Sequence, residues 1–165
     1  MEPKRWRNAC DGGNPVRVVV AEDSVLLREG LTQLLDRNGL EVVGSCESAE
    51  DLLLKVRSYA PDVAIIDIRL PPTHNDEGLR AALEIRAHHP SVGVLVLSQY
   101  VELGLAMKLL ADSAEGAGYL LKDRISDVRD FIAGWSASEL GAPRLTRSSS
   151  RLCSRNGGAT TRCRS

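Results

Sequence analysis

Nowhere in the 165 residues does an apolar run approach the roughly 18 that a membrane-spanning helix needs, and residues 1–15 lack the apolar stretch of a secretory signal. A cytoplasmic location with no membrane contact is the expectation that follows. The four cysteines, Cys10, Cys46, Cys153 and Cys163, have no metal-finger spacing, so free thiols are expected. A strong net charge is also missing. The formal total is −1 on a composition 43% hydrophobic and 26% charged, ordinary for a globular chain and no sign of nucleic-acid binding. No internal repeat is evident.

The neutral total conceals two unlike parts. Residues 140–165 carry six arginines (Arg144, Arg147, Arg151, Arg155, Arg162, Arg164) and no acid, so the −1 total leaves about −7 for residues 1–139. That tail has no apolar periodicity and cannot bury enough surface to offset its ordering entropy. The expected organisation is a flexible tail over 1–15, one domain over 16–135, and a disordered basic tail over 136–165.

Within the domain, short β-branched runs alternate with amphipathic segments. Val16 to Ala21 is nearly all apolar, as a strand buried on both faces must be. Ser24 is placed to cap a helix carrying Val25, Leu27, Leu31, Leu34 and Leu35, with Gly39 as its stop. Leu40 to Cys46 is a second strand, and Ser48 with Asp51 has the spacing of a capping box for a helix that ends before Pro61. Asp62 to Ile68, Val92 to Leu97 and Ala117 to Leu121 are three further strands. Helical patterns over 77–88 and 101–110 separate them, and a last helix begins near Ser126. Five alternations predict an α/β fold: a parallel sheet in three layers, doubly wound by right-handed crossovers.

Ligands of such sheets bind at the carboxyl ends of the strands. The residues at those ends are Glu22 and Asp23, Asp67, Ser98 and Lys122. Three crowded carboxylates repel one another unless a cation compensates, and Mg²⁺ suits carboxylate oxygens. Asp67, ending the central strand, suits a carboxylate nucleophile that forms an aspartyl-phosphate. Lys122 and Ser98 would then neutralise and bond the phosphoryl oxygens. Asp23 or Asp67 taken alone is more often a helix cap, Tyr119 half-buried packing, and His88 and His89 a helix terminus; His74 lies in the loop near the acceptor and could tune it, but such a histidine is more often solvated.

The segments AEDSVLLREGL, DIRLPP, VLVLSQY and GYLLKDRISDV, in this order, resemble response regulator receiver domains of the NarL/FixJ type, the LuxR-like transcription regulators. The resemblance covers about residues 16–132. It implies a flavodoxin-like sheet of strand order 2-1-3-4-5 and phosphorylation of Asp67 by a sensor histidine kinase. Mg²⁺ would be held by Glu22, Asp23, Asp67 and the backbone carbonyl of Arg69. Ser98 and Tyr119 would be the switch pair, Lys122 the phosphate-binding lysine, and Pro71 would shape the loop after the acceptor. A homodimer is left open.

The sequence departs from that family after Ile132. The helix-turn-helix of such regulators has no counterpart, so DNA is not an expected partner, and the tail reads as an out-of-frame extension or a truncation. Two other functions compete. One is a receiver acting by protein contact alone, as a decoy or dimerisation partner. The other is an aspartate-nucleophile phosphatase of the haloacid dehalogenase type, but such enzymes place an acid two residues after the nucleophile, where this chain has Arg69. The expectation is a switch and not an enzyme with a separate substrate.

Overall fold

The structure, a computed structural model, describes residues 15–111 and 116–128. The alternating pattern resolves into β1 (Arg17–Ala21), α1 (Val25–Arg37), β2 (Glu41–Cys46), α2 (Ala49–Tyr59) and β3 (Val63–Asp67). These are followed by α3 (Glu77–His88), β4 (Gly93–Ser98), α4 (Leu103–Leu110), β5 (Ala117–Leu121) and a 3₁₀ segment over Lys122–Asp127. Every strand pairing is parallel and the order is β2-β1-β3-β4-β5, the expected doubly wound arrangement.

Alternation along strands buried on both faces divides the core in two. Val18, Val20, Val63, Ile65, Leu95, Leu97 and Leu120 pack with Leu31 and Leu35 of α1. Their neighbours Val19, Ala64, Ile66, Val94 and Val96 pack with α2, α3 and α4 through Leu52, Val56, Leu79, Ile85 and Leu109. Val128 is buried on the α1 side, beside Ile125. The expected last helix is therefore preceded by a 3₁₀ turn, and its continuation past Val128 lies outside the described residues. So do the expectations for residues 1–14 and 136–165, and for Cys10, Cys153 and Cys163. Cys46 is a free thiol, as expected, and burial pushes it up to about 11.

The two serine caps differ. Ser48 Oγ accepts from the Asp51 N–H at 3.3 Å, while the Asp51 carboxylate turns to Lys55 at 2.9 Å. Ser24 occupies the cap position of α1 but its side chain makes no cap hydrogen bond. Its own N–H donates instead to Glu22 Oε1 at 3.2 Å, which ties the start of α1 to the strand-end acid. Gly39, at φ 78°, ends α1 in the left-handed conformation that glycine tolerates.

Candidate functional site at the carboxyl rim of the sheet

The rim is built by strands that end in polar residues. The Glu22 N–H extends the β1 ladder by donating to the Cys46 carbonyl at 3.0 Å, which turns the Glu22 side chain into the sheet's end, fully buried. Asp67 closes β3 at 3% exposure and Ser98 closes β4 at 0%. Lys122 follows β5, and its Nζ lies 3.0 Å from Asp67 Oδ2 and 2.9 Å from Glu22 Oε2. The second Asp67 oxygen, Oδ1, accepts from the Arg69 N–H at 3.2 Å.

Carboxylate oxygens of Glu22, Asp23 and Asp67 all lie within 4.8 Å of one another. One ammonium faces three carboxylates, so the cluster is under-neutralised. Burial, with the Asp67 charge adding to it and Lys122 opposing, pushes Glu22 up to about 7. Burial alone would draw Lys122 down, yet its bonds to Glu22 and Asp67 hold it above its ordinary value. Glu22 Oε2 is buried and meets Lys122 in an ion pair whose ammonium it shares with Asp67. Two buried carboxylates sharing one ammonium, with the Asp23 carboxylate close by, are what a hard divalent cation satisfies.

The expected switch residues lie on the neighbouring strands β4 and β5 of the same sheet. Ser98 Oγ donates its single proton to the Tyr100 carbonyl at 2.8 Å, and so not to Asp67. The Tyr119 hydroxyl donates to the same carbonyl at 2.7 Å and accepts from the Glu102 N–H at 3.2 Å. Both hydroxyls thus converge on the loop that leads into α4. Tyr119 is 6% exposed, its ring in the core shared by β5 and α4.

The family profile described as response regulator receiver domain matches residues 18–132. The chain belongs to that family. Among curated relatives, this receiver is 32% identical over 134 residues to the transcriptional regulatory protein LnrK of Bacillus subtilis, covering 79% of this chain and 59% of that protein. It is 38% identical over 125 residues to the response regulator GacA of Pseudomonas protegens, covering 72% and 56%. The receiver thus spans little more than half the length of these relatives. Among solved structures, the signal receiver domain of NarL from Mycobacterium tuberculosis superposes with a TM-score of 0.62 at 31% identity, covering 74% of this chain and 99% of that one. A LuxR-family DNA-binding response regulator from Staphylococcus aureus gives 0.65 at 27% identity, covering 73% and 98%. The curated relatives are named as response regulators and transcriptional regulatory proteins. Among the described residues no helix is long and apolar enough to cross a membrane.

Two features of the receiver's rim were not foreseen, and a third follows the less favoured of two readings. Gly78, at the start of α3, presses so close to β3 that a Cβ would lie 1.8 Å from the Asp67 carbonyl oxygen, and its N–H donates to the Ile68 carbonyl at 3.0 Å. Arg69, whose carbonyl was the expected metal ligand, also sends its guanidinium across to Glu102, the residue before α4, as an ion pair. Third, His74 is not merely solvated. Its Nδ1 lies 3.2 Å from the Arg69 carbonyl oxygen and 3.5 Å from Asp23 Oδ2. Of the two unforeseen features, only the Gly78 contact had a sequence signal, a lone glycine in the second position of a helical pattern.

Proposed function

We propose that this receiver is a phosphorylation switch in which Asp67 takes a phosphoryl group from the phosphohistidine of a sensor kinase. The observation that carries this reading is Lys122 Nζ seated between Asp67 and Glu22 while three carboxylates crowd within 4.8 Å. An Asp67 oxygen attacks phosphorus, the O–P bond forms as the N–P bond breaks, and the electron pair returns to the kinase imidazole. Glu22, Asp23, Asp67 and the Arg69 carbonyl would hold Mg²⁺, which when bound supplies positive charge against the carboxylates and phosphoryl oxygens. Lys122 transfers its contact from the carboxylate to a phosphoryl oxygen, as a point charge.

Phosphorylation also offers Ser98 a stronger acceptor than the Tyr100 carbonyl it now bonds. When Ser98 turns, that carbonyl keeps only the Tyr119 hydroxyl as its side-chain donor, and the loop into α4 repacks. This shifts the population of the α4–β5 face, the surface a partner would read. Residues 16–135 act as the switch unit, in a cytoplasmic setting, and in the regulators the chain resembles such a switch is linked to control of transcription.

Incubation with Mg²⁺ and a small phosphodonor such as acetyl phosphate tests the reading by intact mass. One phosphoryl adduct is expected, absent with a chelator and absent in Asp67→Asn. An adduct that persists in Asp67→Asn, or none on folded protein with Mg²⁺, contradicts it.

A further inference from the structure

We propose that Arg28 is a positioning residue of the receiver's cation site, holding the peptide unit that joins Glu22 to Asp23 so that both carboxylates face one ion. The inference rests on the reading of this rim as a cation and phosphoryl site. Arg28 stands in the first turn of α1, and helical side chains lean toward the helix N-terminus, so its guanidinium is carried back over the turn between β1 and α1. There Nη1 donates to the Glu22 carbonyl at 2.7 Å. A charged donor makes this a strong contact, and the Arg28 side chain is only 18% exposed.

The carbonyl it grips acts as a lever. A peptide unit is planar, so fixing the Glu22 oxygen fixes the Cα of Asp23 and with it the root of the Asp23 side chain. Three further bonds close the same turn. The Glu22 N–H donates to the Cys46 carbonyl at 3.0 Å, the Ser24 N–H to Glu22 Oε1 at 3.2 Å, and the Arg28 N–H to the Ser24 carbonyl at 2.8 Å. Arg28 thus ties residues 22–24 to α1 with its backbone and its side chain together. Such restraint is needed because the oxygens of Glu22, Asp23 and Asp67, within 4.8 Å of one another, repel until an ion arrives. The other partner of Arg28 is weaker: Glu47 is 3.9 Å away on a side chain 73% exposed.

Charge and geometry predict opposite signs. A guanidinium near a cation site repels the cation, so by charge alone its removal would tighten Mg²⁺ binding. Calorimetric titration of the folded full chain with Mg²⁺, without phosphodonor, is expected to show binding about tenfold weaker in Arg28→Met, the size of effect that groups orienting metal ligands have. Arg28→Lys, which keeps a charged donor, is expected to recover most of that loss. Glu47→Gln, which removes only the exposed pair, is expected to stay within about twofold of wild type. Saturating Mg²⁺ should bring phosphorylation of Arg28→Met to the wild-type extent, which lost folding would not allow. Arg28→Met binding Mg²⁺ as tightly as wild type, or more tightly, overturns the inference. Guanidinium ¹⁵N spectra of the wild type need no variant: a held Arg28 shows distinct, slowly exchanging Nη resonances, and a freely rotating group overturns the inference even where the variants fail to fold. An adduct on wild-type Asp67 with Mg²⁺ affinity indifferent to Arg28 sinks only the positioning role. Affinity that depends on Arg28 without any adduct sinks the phosphoacceptor reading.

Discussion

Glu22 holds the sharpest electrostatic conflict in the described rim, because burial and the Asp67 charge lift it to about 7 while the unfolded chain keeps it near 4.5. Between those values the folded state binds the proton more tightly than the unfolded one, so stability from this group is full below about pH 4.5 and is lost as pH rises through about 7. In metal-free protein, urea melts across that range are expected to lose on the order of 2 kcal/mol from Glu22, and Glu22→Gln to abolish the loss. Added Mg²⁺ is expected to reverse it at pH 8. The opposite sign, stability rising through this window and unaffected by Glu22→Gln, would show that the acid is already compensated. Lys122→Met leaves Glu22 and Asp67 without their cation. About 2 kcal/mol of destabilisation is expected at pH 8, discounted because Lys122 is partly exposed, and Mg²⁺ should restore most of it in the same melts. Glu22, Asp67, Ser98 and Lys122 were legible in the sequence because each is a polar residue that ends an apolar run. The contacts of His74 and Glu102 were not, since they depend on a loop backbone at φ 55° and on a guanidinium reaching between loops distant in sequence.

Elements seat these residues through a few tight contacts. At Gly78 the added Cβ of alanine would meet the Asp67 carbonyl oxygen at 1.8 Å and Ile68 Cα at 2.8 Å, both backbone atoms that cannot swing away. Gly78→Ala must therefore push α3 off the end of β3, with an expected cost of about 3 kcal/mol in denaturant melts and a displaced acceptor. The helix caps give a paired prediction. Ser48→Ala removes a real cap and should cost about 1 kcal/mol, whereas Ser24→Ala should change stability by less than about 0.5 kcal/mol. Equal effects would contradict the assignment of the caps. The extents of α2 and α3 were readable from hydrophobic spacing, and Ser48 from its partner Asp51. At Ser24 the side chain makes no cap hydrogen bond, and the contact that fixes this residue is its backbone N–H to Glu22, which local capping rules do not include. The stretch expected to be helical from Val101 starts at Leu103, because the Tyr100 carbonyl and Glu102 N–H are spent on Tyr119.

At the scale of the molecule, the two-sided core follows from the alternation within five apolar strands, which is why the fold class could be read without coordinates. The order β2-β1-β3-β4-β5 could not come from any strand alone; it came from the family resemblance and is what the structure shows. That order sets β1 beside β3, so that Glu22, Asp67 and, across β4, Lys122 share one rim although 100 residues separate the first from the last. The α1-side core takes in Val128, so the segment after β5 contributes to covering the sheet as well as to carrying Lys122. Trapping the acyl phosphate tests the account most directly: after phosphodonor and Mg²⁺, borohydride reduces an aspartyl-phosphate to homoserine, and peptide mapping locates it. Homoserine at position 67 and nowhere else is the predicted result. Homoserine at Asp23 or another acid, or an unreduced Asp67 in protein that carries phosphate, would contradict it.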